Sequence, residues 1–481
     1  MDAVLDCAGG GHNGLDLSAQ LLIGGELVDG AERLDVIDPA SGQAFRSASR
    51  ASAEQAEAAV AAAKRAFPEW AATKHTERQA KVLALAGAIA THRDALAELL
   101  TREQGKPLAE AAGEVAWAEG YLRHYATMSL PERVIQDDGS ARVIVRHVPL
   151  GVVVGIIAWN FPVLLAAWKI GLSVLAGNAI VLKPAPTTPL TALAIGALCR
   201  DIFPAGVVNV IADDNDLGPF LSAHPDVAKI SFTGSTPTGS RIMASAAQSL
   251  KRLTLELGGN DPAIVLGDVN VKQTAQAIFG SAFLNCGQVC LAIKRVYVPA
   301  ELHDAICAEL LALAEAATVG PGMEGHGIGP LQNRAQFEKV KAFLDRARAD
   351  GLDVAGGAVL EREGYFIAPA IVRGAKDGDQ IVDEEQFGPV LPVVPYTSVD
   401  DVVAAVNASP QGLGASIWSA DLDAATRVAE RVQAGSVWVN QHLAIGPHLP
   451  MAGFRQSGIG VEQAEDGLKE MTQIQVINIA R

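Results

Sequence analysis

From Gly151 onward the chain repeats one rhythm: a short apolar run, a turn, a longer helical segment, then another apolar run. Residues 152–157 (Val-Val-Val-Gly-Ile-Ile) predict a buried strand, 163–175 a helix, 179–182 a strand and 190–199 a helix. Further strands are predicted at 207–211 and 229–233, with a helix from about 237 to 248. Strands that lack polar alternation are buried on both faces, and strands alternating with helices pair in parallel. The rhythm therefore leads to a doubly wound sheet whose ligand crevice opens beyond the C-terminal ends of its strands. A second α/β block is predicted from 258 to about 446.

Upstream, residues 53–128 are dense in Ala, Glu, Arg and Leu with helical periodicity, and breaks are predicted near Pro68 and at Gly105-Lys106-Pro107. Residues 141–148 alternate as an exposed strand or hairpin arm, and residues 472–479 alternate again with no obvious partner strand in sequence. An unpaired strand is a liability unless another subunit covers it, so a homodimer or homotetramer is expected. The length of 481 residues and 49% hydrophobic content suit two or more domains. A formal charge of −16 with no basic stripe argues against a nucleic-acid partner. Five scattered cysteines suit a reduced, cytoplasmic protein better than a disulfide framework, and no metal is expected. Met1-Asp2-Ala3 is acidic where a signal peptide is basic, and the apolar run 151–158 is too short for a bilayer, so a soluble protein is expected. The string Gly9 to Gly14 matches GxGxxG, but only Ala3-Val4-Leu5 precedes it and no helix start follows, so it reads as a flexible leader.

Three polar islands interrupt the apolar pattern. Phe283-Leu-Asn-Cys-Gly-Gln-Val-Cys290 places a thiol after a Gly-Gln turn beyond Leu255-Glu256-Leu257-Gly258-Gly259-Asn260. A thiol and a carboxylate in that order suggest a covalent nucleophile and a base. A lone cysteine is most often a core residue, but Asn285, Gly287 and Gln288 beside Cys290 fit a reactive site better; Cys286 is the competitor. Glu256 among leucines is costly to bury unless its pKa rises or a channel solvates it. Asn160, in Trp159-Asn160-Phe161-Pro162, is by itself no more than a helix cap. Phe232-Thr-Gly234-Ser235-Thr-Pro-Thr-Gly239 sits where a strand ends and a helix begins, which suits a pyrophosphate as well as it suits an ordinary turn. Lys183 closes a strand on the side where nucleotides bind in such sheets.

Taken together, from about residue 22 to 479, these motifs resemble the NAD(P)-dependent aldehyde dehydrogenase superfamily in kind and in order. The resemblance implies an α/β fold with a Rossmann-type cofactor domain (1–126 and 149–257), a catalytic α/β domain (258–446) and a small β oligomerisation arm (127–148 and 467–481). It implies oxidation of an aldehyde to the carboxylic acid, with Cys290 as nucleophile, Glu256 as base, Asn160 in the oxyanion hole and Lys169 close by. Cofactor contacts would fall to Trp159, Lys183, Gly234, Ser235, Gly239, Glu385 and Phe387, with Gln336 and Lys339 at cofactor-side positions of lesser weight. The aldehyde channel would be lined by Phe161, Leu165, Trp168 and Met451, apolar groups that suit aliphatic or aromatic substrates. Pro186 stands where many NAD-preferring members carry a ribose-binding glutamate, and no arginine adjoins it, so NAD is expected as cofactor with appreciable NADP use. Gln386 and Met451-Ala-Gly-Phe454 also depart from the usual pattern. A CoA-acylating relative and a nucleotide-free cysteine hydrolase are the alternatives; the hydrolase would need an imidazole partner that no recognisable motif supplies.

Overall fold

The computed structural model describes residues 15–481, so the glycine string 9–14 lies outside the described residues. The predicted strand at 152–157 forms as Val152–Ile156, buried at every position. Pro162–Ala176 follows as a helix buried on all sides, opened by a proline in its first turn and closed by Gly177 in the left-handed region (φ 96°). Around this unit an eight-stranded sheet assembles in the order Glu26–Val28, Leu21–Ile23, Val208–Val210, Ala179–Lys183, Val152–Ile156, Val227–Thr233, Arg252–Glu256, Gly458–Ile459. The five central strands are parallel, and the outer ones are antiparallel. After Val152–Ile156 the chain steps outward through Ala179–Lys183 and Val208–Val210, then crosses back to lay Val227–Thr233 on the other side. That reversal is the topological switch point of the sheet.

The second sheet runs Asp353–Gly356, Ala370–Arg373, Val390–Tyr396, Ile293–Pro299, Asp261–Val265, Gly414–Trp418, Ser436–Val439, all parallel except the first pair. Only residues 257–260 separate the end of Arg252–Glu256 from the start of Asp261–Val265. The C-terminal rim of the first sheet is thereby set against the N-terminal rim of the second.

Two expectations are corrected. Pro68 does not break its helix: Ala53–Ala72 continues through it, opened by a Ser52/Gln55 capping box. The last turn is held by packing, since Trp70 is buried and its indole N–H donates to the Val174 carbonyl at 3.1 Å. The predicted break at Gly105 does occur, with φ 99°. The terminal strand also has a partner in its own chain. Thr472–Ala480 pairs antiparallel with Ala141–Pro149, from Thr472 opposite Pro149 to Ala480 opposite Ala141, and Arg133–Asp137 flanks the other side. His147 and Thr472, joined side chain to side chain at 2.8 Å, are 325 residues apart in sequence, which is why the pairing is invisible locally. Val134, Ile135, Ile474, Val476 and Ile479 remain exposed on this three-stranded sheet. Among the described residues no helix is long and apolar enough to cross a membrane.

Candidate active site

Two cavities meet at the rim between the sheets. The larger, about 610 Å³, opens at the switch point and is lined by Ile156 to Trp159, Lys183, Pro186, Asn215, Phe232 to Ser235 and Arg241, among others. The smaller, about 160 Å³, holds Asn160, Glu256 and Cys290 in walls built from Trp117, Tyr121, Phe161, Leu165, Trp168, Leu443 and Met451. Thr233, the last residue of its strand, lines both. The three candidate catalytic groups, distant in sequence, thus share one apolar chamber that adjoins a polar crevice, and all four predicted channel residues line it.

Cys290 follows a left-handed turn. Asn285 and Cys286 have φ of 51° and 57°, and a Cβ on Gly287 (φ 72°) would stand 2.2 Å from the Gly388 carbonyl. The polar residues that drew attention to this segment brace the turn. Asn285 donates to the Asn160 carbonyl at 3.0 Å and accepts from Gln104 at 3.1 Å, while the Gln288 side chain donates to the Asn285 carbonyl at 3.0 Å. Cys286 points into the core of the second sheet, and Cys290 reaches the cavity. Burial pushes the Cys290 thiol up to about 12, opposed by the nearby Lys294 ammonium.

Glu256 ends its strand at 2% exposure with neither carboxylate oxygen hydrogen-bonded. Burial, then repulsion from Glu462, holds its carboxyl well above the usual range, with Lys169 pulling the other way. Lys169 pairs with Glu462 at 3.0 Å and donates to Ser231 at 2.9 Å, and it lies behind the chamber. Asn160 donates one side-chain hydrogen to the Gln288 carbonyl at 3.1 Å, leaving the second free. Its own carbonyl accepts from Lys106 at 2.8 Å, and Lys106 pairs with Glu114, which caps the helix behind Asn160 by accepting from Val163 and Leu164. Lys106, Glu114 and Glu462 are site residues that sequence reasoning missed. All three are charged and at most 2% exposed, and only Glu114 lies in a helix; the burial of each is set by the tertiary fold and leaves no local signature.

The larger cavity fits a dinucleotide. Three of the residues 234–239 use their amides inside the protein: Gly234 donates to the Glu256 carbonyl, and Thr238 and Gly239 to that of Ser235. Pro237 has no N–H, so the Ser235 and Thr236 amides are the candidate anion donors of this helix start. Gly239 itself does not line the cavity; a Cβ there would stand 2.5 Å from Leu257, so the glycine lets helix and strand pack. Lys183 reaches the crevice while paired with Asp213. Arg241, passed over in the sequence because it lies 55 positions from Pro186, lines the same crevice.

Glu385, Phe387 and Gln336 approach from the second sheet. The Phe387 ring meets Trp159 edge-on at 5.4 Å, with its backbone in the left-handed region (φ 55°). Gln336 donates to the carbonyls of Gln386 (3.0 Å) and Phe387 (2.8 Å), so it supports this segment, as Lys339 does by donating to the Glu385 carbonyl at 2.9 Å. Glu385 accepts from the Gly259 amide at 3.2 Å. Among the described residues no group of three or more His, Cys, Asp or Glu is placed to hold a metal ion.

Residues 27–477 match the family model for the aldehyde dehydrogenase family. The chain belongs to this family. It is 37% identical to phenylacetaldehyde dehydrogenase of Pseudomonas fluorescens over 97% of both chains. Betaine aldehyde dehydrogenase of Staphylococcus aureus, solved in complex with NAD+, superposes with TM-score 0.93 at 31% identity, covering 96% of each chain. An NADP-dependent enzyme of E. coli superposes with TM-score 0.94 at 34% identity, covering 96% of this chain and 98% of that one. Membership makes this protein an oxidoreductase that converts aldehydes to carboxylic acids.

Proposed function

We propose that this aldehyde dehydrogenase oxidises neutral aliphatic or aromatic aldehydes through a thioester on Cys290, using NAD and to an appreciable extent NADP. The observation that carries the reading is the shared chamber of Cys290, Glu256 and Asn160, walled by apolar and aromatic side chains and joined through Thr233 to the nucleotide crevice. The Cys290 thiolate adds to the aldehyde carbonyl. The free Asn160 N–H and the Cys290 backbone amide face the oxygen on which charge develops. The nicotinamide, when bound, supplies the hydride acceptor. Glu256 takes a proton from water for hydrolysis of the thioester, a task suited to a carboxylate whose burial raises its basicity. Trp159, Lys183, Ser235 and Glu385 are the chain's candidates for holding the nucleotide, with Phe387 placed by Gln336.

The domain division given above and a homodimer or homotetramer belong to the same proposal, supported by the apolar side chains exposed on the three-stranded sheet. Free thiols at Cys199, Cys286, Cys290 and Cys307 fit a reducing, cytoplasmic compartment. Initial rates of absorbance gain at the nicotinamide band, over a panel of aldehydes with each nucleotide, test the reading. Hydrophobic aldehydes should turn over best; a preference for carboxylate-bearing or cationic aldehydes, or no turnover at all, would sink it.

A further inference from the structure

Lys294 is a buried cation that none of these steps uses. It lies at the start of Ile293–Pro299 and is 2% exposed. Its ammonium donates to three carbonyls of one loop: Val289, Cys290 at 3.2 Å and Ala292 at 3.2 Å. The same Nζ stands 4.0 Å from the Glu385 carboxylate and 5.7 Å from the centre of the Phe387 ring. An ammonium has three donors, and one loop takes all of them. Burying a lysine is costly unless its charge and its hydrogens are satisfied, and a methionine would fill the same volume without that cost. A lysine kept here answers a need other than packing.

We propose that Lys294 is a positioning residue of the active site: its ammonium pins the 289–292 loop that presents Cys290 and, through Glu385, ties that loop to the segment carrying Phe387. The inference rests on Cys290 being the nucleophile. Its electrostatic consequence is specific. Glu256, Glu385 and Asp261, from three different segments, all oppose ionisation of the Cys290 thiol, whereas the Lys294 charge favours it. Lys294 likewise steadies the charged form of Glu385 against its burial.

The test is the pH dependence of alkylation of the full-length, nucleotide-free protein by iodoacetamide, with the labelled cysteine assigned by peptide mass spectrometry. Lys294→Gln should raise the midpoint for Cys290 by about one unit, which slows labelling about tenfold at a fixed pH below it. The same variant should lose kcat and raise the KM for NAD. Lys294→Arg keeps the charge and should keep the midpoint, while kcat still falls because a planar guanidinium cannot reproduce the ammonium's three contacts. A Lys294→Gln protein with the wild-type midpoint overturns the proposal. Should that variant fail to fold, Glu385→Gln decides in the same assay. With the competing carboxylate gone the midpoint should drop, and an unchanged midpoint overturns the coupling. Labelling of Cys286 in place of Cys290 refutes the nucleophile assignment, a result distinct from any shift in midpoint.

Discussion

Truncating Asn160 to alanine should separate catalysis from folding. The side chain is 5% exposed, gives one hydrogen to the Gln288 carbonyl at 3.1 Å and keeps the other free toward the chamber. Little of the local structure depends on it. The Gln288 carbonyl also accepts from Asn285 at 3.4 Å, and the Asn160 main chain is held independently by Lys106 and Asn285 at 2.8 and 3.0 Å. The loss of stability should therefore be that of one buried hydrogen bond, about 1 kcal/mol. The loss in turnover should be far larger, because a preorganised donor at a developing oxyanion contributes about 3–4 kcal/mol, or roughly a hundredfold to a thousandfold in kcat. Steady-state rates at saturating aldehyde, thermal unfolding, and nucleotide binding followed by tryptophan quenching measure the three quantities on one preparation. An Asn160→Ala protein that binds nucleotide normally, melts within a few degrees of wild type and turns over within threefold of it would refute the oxyanion role. Asn160→Asp should be at least as slow, since it puts negative charge where the donor stood.

Cys290→Ala should abolish oxidation with nucleotide binding intact, whereas Cys286→Ala should keep most activity because its thiol packs into the second core; swapped phenotypes in an initial-rate assay would reverse the assignment. Glu256→Gln should stall after acylation, leaving an acyl adduct on Cys290 visible by mass spectrometry of the quenched protein, and wild-type turnover would remove Glu256 from the mechanism. Burial and Glu462 hold the Glu256 carboxyl high, so its basic form is gained as pH rises, and hydrolysis-limited turnover should rise with it. Glu462→Gln should move that rise to lower pH; a shift the other way contradicts the electrostatics. Pro186→Glu should turn preference toward NAD, and Arg241→Ala should lower kcat/KM for NADP by about tenfold, the worth of one charge-assisted contact, with NAD little changed. Equal losses for both nucleotides would show that Arg241 does not touch the 2′-phosphate.

Much of this was legible in the chain because the decisive signals are local. The apolar strands after Gly151, the helix opened by Pro162 and the Gly105 stop are set by residues within a few positions of one another, and each forms close to its predicted place. Pro68 misled because tertiary packing of Trp70 outweighs a local penalty. The pairing of Thr472–Ala480 with Ala141–Pro149 could not be read because strand partners are chosen by the fold and not by proximity in sequence. The same division runs through the site. Cys290 and Glu256 stand out as polar residues in apolar runs, whereas Asn160 reads locally as a helix cap; Glu114, which braces the helix after it, lies 49 residues from Val163, and Lys169 and Glu462 are 293 apart. Arg241 reaches the larger cavity only because the helix that carries it starts at the end of Val227–Thr233.

That the candidate catalytic groups come from different sheets follows from the short passage at 257–260. A parallel sheet gathers its ligand at the C-terminal ends of its strands, which here supply Thr233, Glu256 and, just beyond Val152–Ile156, Asn160. With four residues the chain cannot travel far before it begins Asp261–Val265, so that strand starts beside Glu256. Ile293 pairs directly with Asp261, which brings the loop just ahead of it, and Cys290 within that loop, to the same rim. Lengthening this linker should therefore separate base from nucleophile before it disturbs either sheet. Gly258 and Gly259 show how little room the passage has, since a Cβ on the first would stand 2.6 Å from the Glu385 carboxylate and one on the second 2.5 Å from the Cys290 carbonyl. The two glycines let the end of the Glu256 strand, the Cys290 loop and Glu385 approach one another, a closeness that the proposed chemistry requires.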